Sequence, residues 1–475
     1  MFMLIYEAPK YTLPPLLPFL DFPLVTYSEI RASYRNCCIY DSTPDRLNPE
    51  SRLNSLSPTQ MENQGTWMPP PYNLLTPPVK LSTAHVAKDP SVSSNFARLA
   101  KWSPDGSVFL AQCENRAFEL FGMSLNTKEN QITQSMSTLP QASSILDFRW
   151  YPTASAHDPS SFCFVASVRE CPVKLLDASD GRLRASYKIV DHRERQIAPH
   201  SLAFDLTAQK LYCGFEDAIE IFDLSRPGEG TRMHTTPSNK SKDGLKGIIS
   251  ALAFSPSYST DESFYAAGSF TPSTNNIAMF SDQQETPLMF LQFNPTKPHL
   301  LYAAYRGSGT GSIYSWDVRS NVDAPLEILQ TPASTNANSK SNQKFRFDVD
   351  IAGRMLGVGD QLGNVSIFDL ESTNSEVDSN MRDIGMDDAP LVRQPTLVYK
   401  AHDDAVGSVA FHPYMPAILT TSGSRHFTNE YDKEEDSSES SEEEDGDASR
   451  PSDRRECTVR RPNPSHPVTF DSSIK

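Results

Sequence analysis

The chain has 475 residues and a formal net charge of −16, with 38% hydrophobic residues and 37 prolines against 21 glycines. At about 150 residues per domain this length suggests roughly three domains, although one large propeller breaks that rule. The acidic balance argues against a nucleic-acid binder that uses its whole surface. However, residues 430–447 hold eleven acidic residues and one lysine, which leaves only −6 for the rest of the chain. The net charge therefore does not exclude a local basic patch.

The N-terminal segment, residues 1–93, is rich in proline and serine and shows no sustained period of 2 or 3.6, which predicts mostly disorder. Its apolar start is broken by charged residues and five prolines, so it is too short for a membrane span. It also lacks the basic region of a secretory signal. The seven cysteines include no C-x-x-C pair. This indicates free thiols in a reducing compartment and no zinc site, although Cys37 and Cys38 could form a strained disulfide.

From about residue 94, short alternating strands follow one another, and a strand that ends in an apolar residue before a turn recurs seven times. The last residues of these strands are Trp102, Trp150, Phe204, Phe254, Phe293, Val349 and Phe411. Most copies continue into a strand of small residues and then into a third strand that ends in an apolar residue and Asp, at Asp177, Asp223, Asp317 and Asp369. A period of about 40–45 residues with four strands per unit is typical of WD40 blades.

The sequence therefore predicts an all-β fold, a seven-bladed WD40 β-propeller over residues 94–475. Disordered insertions are expected at about residues 374–393 and 428–464. The second insertion contains the acidic tract, which is either a solvated loop or, because four serines lie among the acidic residues, a target of acidophilic kinases.

The spacing of the repeat is irregular at two places. The steps between the seven equivalent residues are 48, 54, 50, 39, 56 and 62. Only ten residues separate Asp282 from Phe293, too few for an outer strand, a loop and an inner strand. We expect a defect here: either the preceding blade lacks its outer strand or the blade entered at 288–293 lacks its inner one. The final strand begins near 468–470 and the sequence ends at 475, so the last blade is expected to be short in its third strand.

No pattern in the sequence supports catalysis. The chain contains no G-x-x-x-x-G-K-[ST], G-x-S-x-G or H-E-x-x-H motif. The glycine-rich run at 307–311 lacks the lysine that phosphate cradling needs. His402 stands where propeller repeats place a histidine that braces the blade. We therefore predict that the protein is not an enzyme and has no metal or other cofactor.

The loops of one propeller face carry the candidate binding residues. Loops that join second to third strands and loops that join successive blades emerge on the same side, which we call the upper face. The first set supplies Arg116, Arg169, Phe215, Phe270, Tyr305, Arg306, Arg425, His426 and Phe427. The second set supplies His192, Arg193, Arg195, Lys240, Lys242 and Lys246. This mixture suits RNA, because bases stack on rings and guanidinium planes while Lys and Arg bind phosphates. A protein-binding face would have the same composition, so both interpretations stay open.

Several stretches resemble one family within the WD40 propellers. They include 171–187 (CPVKLLDASDGRLRASY), 200–204 (HSLAF), 212–215 (YCGF), 225–228 (SRPG), 247–256 (GIISALAFSP) and 412–427, which begins HPYMP and ends SGSRHF. Together they resemble the telomerase Cajal body protein 1 family, with its fungal relatives linked to splicing. The resemblance covers about residues 94–427, and residues 1–93 match nothing in it.

The resemblance implies a non-catalytic nuclear scaffold, expected in nuclear bodies with some cytoplasmic protein, that binds small non-coding RNA–protein particles. In animal members these contain small Cajal-body RNA or telomerase RNA, and in the fungal relatives the link is to spliceosomal particles. The alternative is a propeller that binds only proteins within a nuclear complex. Neither hypothesis involves a membrane or a small-molecule substrate.

Overall fold

The computed structural model describes residues 5–7, 68–92, 94–123, 131–236, 238, 240, 244–256, 264–270, 288–305, 312–320, 325–332, 343–372, 390–426 and 468–475. In this part of the chain the regular structure consists of β-strands, and no α-helix is present. The finding confirms the all-β class. Both predicted insertions, the acidic tract and the glycine-rich run lie wholly or almost wholly outside the described residues.

Two strands precede the repeat, β1 (Ile5–Glu7) and β2 (Ser82–His85), and the remaining strands form seven antiparallel sheets in chain order. Sheet 1 contains β3 (Ala97–Trp102), β4 (Val108–Cys113), β5 (Ala117–Gly122) and β7 (Ser135–Pro140), with β6 (Gln131–Thr133) just before its last strand in the chain. Sheet 2 contains β8 (Ile145–Trp150), β9 (Cys163–Val168), β10 (Val173–Asp177) and β11 (Leu183–Lys188). Sheet 3 contains β12 (Ser201–Phe204), β13 (Lys210–Phe215), β14 (Ala218–Asp223) and β16 (Thr231–His234), and β15 (Gly228–Glu229) adds a parallel edge to sheet 2.

The second half of the repeat continues in the same way. Sheet 4 contains β17 (Ile249–Phe254) and β18 (Phe264–Ser269). Sheet 5 contains β19 (Leu288–Phe293), β20 (Leu300–Tyr305), β21 (Ile313–Asp317) and β22 (Glu327–Leu329), with β26 (Leu391–Arg393) as a parallel edge. Sheet 6 contains β23 (Asp348–Val349), β24 (Met355–Gly359), β25 (Asn364–Asp369) and β27 (Leu397–Lys400). Sheet 7 contains β28 (Val406–Phe411), β29 (Ile418–Ser422) and β30 (Ser473–Ile474).

The strand ends predicted from the sequence repeat agree with the structure. All seven apolar residues chosen as equivalent are the last residues of the inner strands β3, β8, β12, β17, β19, β23 and β28. The four Asp residues end the third strands, and each carboxylate accepts a hydrogen bond from the backbone N–H two residues further on, at 2.9–3.0 Å. Such Asx turns hold the tight connection to the fourth strand. Six sheets are complete propeller blades.

The hydrophobic core lies between neighbouring sheets. Phe118 of sheet 1 contacts Phe148 and Phe164 of sheet 2 edge-to-face, with ring centroids 5.3 and 5.0 Å apart. Trp316, the literal Trp of the repeat, is 1% exposed in the cluster between sheets 4 and 5. Because both faces of each sheet are covered by a neighbour, the central strands are buried along their full length, as in β4 and β9.

Sheet 4 departs from the pattern where the short step predicted a defect. The inner strand β19 of sheet 5 is present, and the described residues give sheet 4 only β17 and β18 of its own. Strand β1 pairs antiparallel with β18, with Ile5 opposite Ala266, in the place of a third strand. Residues 271–287, where further strands of sheet 4 would fall in the chain, lie outside the described residues.

Two strands that are far apart in the chain, β2 and β30, meet in sheet 7. Strand β30 pairs with β29 through Thr421 and Ile474, and β2 pairs with β30 through Ala84 and Ile474. The third strand is only two residues long, so the expectation of a short last blade is confirmed. Strand β2 lies before the predicted boundary at residue 94 and was not predicted, because its four residues are too few to show a period. Strand β6 pairs parallel with β2 at the edge of the sheet.

Candidate functional site

The upper face is built where the turn after each second strand contacts the segment that enters the same sheet. The backbone N–H groups of Glu114, Arg169, Phe270 and Gly423 donate to carbonyl oxygens of those segments at 2.7–3.0 Å. Three successive turns use a left-handed residue, including Arg116 with φ 67°. These hydrogen bonds fix the base of each loop and leave its side chains at the surface.

Most of the predicted cations are exposed there. The exposed residues are Arg116, Arg169, His192, Arg193, Arg195, Lys240 and Arg425. Lys246, Phe270 and His426 are half-buried. Lys242, Arg306 and Phe427 lie outside the described residues.

Two of the predicted aromatic contacts are wrong. Phe215 is 4% exposed and Tyr305 is 8% exposed, so neither ring is available to stack on a base. We expected both in loops, but each is the last residue of a second strand and points between two sheets. Tyr305 packs edge-to-face on Tyr314, with centroids 5.3 Å apart, and the guanidinium of Arg232 lies 5.1 Å from the ring of Phe215.

Other predicted residues are held by partners within the loops. Arg195 Nη2 lies 2.8 Å from Asp191 Oδ2, and backbone hydrogen bonds from the same loop help lower the pKa of Asp191 to about 2. His426 Nε2 lies 2.9 Å from Asp404 Oδ1, and its ring lies 4.1 Å from that of Phe470. These contacts hold the loop of His426 against Asp404 and Phe470, so the main role of His426 is to stabilise this loop.

Five basic residues lie in two groups beside the upper loops, and three of them, Arg98, His200 and Lys344, were not predicted from the sequence. Arg98 and Arg425 form ion pairs with the same carboxylate, Glu114, which leaves one positive charge in excess. Burial lowers the pKa of His200, and the positive charges of Lys344 and Arg169 lower it further. The members of each group come from segments far apart in the chain, and the fold brings them together.

A sequence signal existed for one of these residues. In the segment 344–349 the residues alternate strictly between polar and apolar (KFRFDV). The apolar residues Phe345, Phe347 and Val349 are buried. The alternation places Lys344 and Arg346 on the other side of the segment. Only two residues of the segment form a regular strand, and a period of 2 over such a short stretch is easily overlooked.

Two further features of the described residues concern metal ligands and thiols. They contain no group of three or more His, Cys, Asp or Glu side chains placed to hold a metal ion. The thiols of Cys113, Cys163 and Cys213 are buried, and burial raises the pKa of each. No helix among the described residues is long and apolar enough to cross a membrane.

Comparison with known proteins places the chain among propellers. Telomerase Cajal body protein 1 of Mus musculus is 29% identical over 351 residues, which is 70% of this chain and 60% of that protein. The Homo sapiens protein is 28% identical over 349 residues, 70% of this chain and 58% of that protein. Guanine nucleotide-binding protein negative regulator 1 of Schizosaccharomyces pombe is 26% identical over 303 residues, 59% of this chain and 72% of that protein.

No family model matches the chain. The chain spans about 60% of the length of the first two relatives. The matched region is long enough to include most of the described strands. The resemblance predicted from the sequence is confirmed: the chain, a WD40 propeller, is similar over 70% of its length to telomerase Cajal body protein 1.

Proposed function

We propose that this protein is a non-catalytic nuclear scaffold whose upper face binds small non-coding RNA or its particles for assembly or localisation. The observation that carries the proposal is the similarity over 70% of the chain to proteins named for telomerase and the Cajal body. The RNA would be a small Cajal-body, telomerase or spliceosomal RNA. The exposed cations of the upper face are the contacts that we assign to phosphates.

Three of these cations are ready to bind without losing a partner. Among the described residues, the side chains of Arg116, Arg169 and Arg193 make no hydrogen bond or ion pair. Arg195 and Arg425, in contrast, each occupy a carboxylate. A phosphate that binds a free guanidinium keeps the whole gain of the charge-assisted contact, so Arg169 and Arg193 are the better test sites.

The test is RNA crosslinking and sequencing, followed by titration of the purified protein with the recovered RNA. Arg193→Ala and Arg169→Ala should each weaken binding and reduce the slope of log K against log salt by about one. Arg319→Ala is the matched control, because Arg319 is equally exposed but lies on the opposite face, paired with Asp317. Recovery of no small nuclear RNA above background, or unchanged slopes in both variants, would contradict the proposal.

A second candidate function is a propeller that binds only proteins of such a particle. It is favoured by the burial of Phe215 and Tyr305, which removes two of the predicted stacking rings from the upper face. Purified protein would then fail to shift naked RNA while still co-purifying with the particle. Loss of co-purification after ribonuclease treatment would instead favour direct RNA contact.

We also propose that sheet 4 is the fourth of seven blades. Its strand β17 packs against β12 on one side and β19 on the other. Residues of sheet 4 share hydrophobic clusters with both neighbouring sheets, through Tyr265 towards sheet 3 and Ala266 towards sheet 5. An experimental structure with sheets 3 and 5 in direct contact would contradict this assignment.

A further inference from the structure

The inner strands surround a central channel, and their last residues line an open cavity of about 540 Å³ in it. Three of its lining residues are cations from different sheets: Lys101 from sheet 1, Arg149 from sheet 2 and Arg346 just before β23 of sheet 6. Its volume is within the range of small-ligand pockets, about 300–1,000 Å³. These cations lie inside the channel and are separate from the exposed residues of the upper face.

The carboxylate between these cations lies beyond hydrogen-bond distance of Lys101 and Arg346, and Lys101 Nζ donates to the carbonyl oxygen of Phe148 at 2.5 Å. Lys101 Nζ lies 3.7 Å and Arg346 Nη2 lies 3.6 Å from the same atom, Asp147 Oδ1. Both distances are too long for a hydrogen bond. The other oxygen, Oδ2, accepts from the backbone N–H of Leu202 at 3.2 Å. Arg149 donates only its Nε, to the carbonyl oxygen of Leu202 at 3.0 Å.

Arg346 has donors to spare in a buried position. Its side chain is 9% exposed, and its guanidinium lies 4.6 Å from the centroid of the Phe290 ring. Among the described residues that guanidinium makes no hydrogen bond. A guanidinium that faces a cavity without protein acceptors keeps its donors for water or for a ligand. These free donors can therefore bind the oxygens of an anion.

The second carboxylate of the cavity is already occupied. Asp348 accepts hydrogen bonds from Gln292 Nε2 at 2.9 Å and from the backbone N–H of Phe411 at 2.8 Å. Burial raises the pKa of Asp348 to about 6, so mild acid removes its charge. Burial also lowers the pKa of the Lys101 ammonium, and the neighbouring Arg149 lowers it further, so a bound anion would stabilise the charged form. Once Asp348 is neutral, the two guanidinium groups of the cavity face a single ionised carboxylate, Asp147.

We propose that this cavity binds a phosphate group, held by Arg149, Arg346 and Lys101. Two guanidinium groups and an ammonium offer forked and single donors that match the oxygens of a terminal phosphate or a pyrophosphate. The ligand is either a free polyphosphate or the phosphorylated end of an RNA, since both present the same oxygens. The proposal does not depend on RNA binding at the upper face.

The test is calorimetric titration of the full chain with pyrophosphate at low chloride concentration. Arg149→Gln and Arg346→Gln should each weaken binding about tenfold or more, the effect of losing one charge-assisted contact. Asp147→Asn should strengthen it, because the competing charge is lost while the carbonyl oxygen can still accept from Leu202. Arg319→Gln, with an exposed arginine outside the channel, should leave the affinity unchanged.

Parallel titrations with a short RNA that carries a 5′-phosphate or a 5′-hydroxyl identify the source of the ligand. If the 5′-phosphorylated RNA displaces pyrophosphate and the 5′-hydroxyl RNA does not, the ligand is an RNA end. If pyrophosphate binds and neither RNA displaces it, the ligand is a free polyphosphate. No binding of either probe at millimolar concentration would overturn the proposal. Equal affinity of wild type and Arg149→Gln would also overturn it, and this half-buried residue allows the test even if Arg346→Gln does not fold. Arg193→Ala should not change pyrophosphate binding, which separates this site from the upper face.

Discussion

Replacement of His402 by alanine should destabilise the last blade, because this buried side chain joins the loop before β28 to the strands β29 and β30. Nε2 lies 2.8 Å from Thr420 Oγ1 in β29. Nδ1 lies 3.1 Å from Ser473 Oγ in β30 and 3.2 Å from Asp471 Oδ2. At about 1 kcal/mol for each hydrogen bond, their loss should lower the free energy of unfolding by about 3 kcal/mol.

The effect should depend on pH. Burial lowers the pKa of His402 in the folded protein below its ordinary value of 6.5, against the opposing effect of Asp471. The unfolded chain therefore binds a proton at His402 before the folded chain does, and stability is lost as the pH falls below about 6.5. His402→Ala removes this contribution, so the variant should lose less stability than the wild type between pH 7 and pH 5.

Urea unfolding followed by tryptophan fluorescence measures both effects. His157→Ala is the control, because His157 is exposed and only its backbone N–H makes a hydrogen bond. A His402→Ala protein within 0.5 kcal/mol of His157→Ala would refute the bracing role. A variant with the same loss of stability in acid as the wild type would refute the assignment of the pH dependence to His402.

Two further predictions concern the sheets. Gly359→Ala should lower the free energy of unfolding by about 1–3 kcal/mol, because the added methyl group would lie 2.5 Å from Val406 Cβ. The control is Gly122→Ala, whose methyl group meets only the flexible side chain of Met136. In the same urea assay this variant should change the free energy of unfolding by less than about 0.5 kcal/mol. Removal of residues 1–10 should speed hydrogen exchange in β18 and lower the melting temperature, because the strand loses its partner β1. Exchange in β13 is the internal control, and unchanged exchange in β18 would contradict the pairing.

The sequence was informative wherever a local signal repeats. The seven inner-strand ends and the four Asx turns could be predicted because each depends on a few adjacent residues and recurs at every blade. The orientation of Phe215 and Tyr305 could not be predicted. When a strand is one residue longer than expected, a side chain assigned to the loop belongs to the strand and points into the core. The ends of β13 and β20 are set by pairing with β14 and β21, which no local pattern encodes.

The channel cations escaped sequence analysis for a different reason. Lys101, Arg149 and Arg346 belong to sheets 1, 2 and 6, and the closing of the ring places them around one cavity. Each is a basic residue in or just before an inner strand, where a solvated side chain is the ordinary interpretation. The distance of 3.6 Å between Arg346 and Asp147 depends on the overall curvature, a property of the whole ring.

The meeting of β2 and β30 in sheet 7 has a consequence for how the protein is made. Ala84 pairs with Ile474, almost the whole length of the propeller away. Strand β30 leaves the ribosome after all the other described strands, so the ring stays open, with unpaired strand edges, until β30 has emerged. Contacts between such distant residues form slowly because the entropy of loop closure is lost before they stabilise the ring. The nascent chain should therefore depend on chaperones during this interval, and a ribosome stalled before β30 should hold an open ring that proteases cleave.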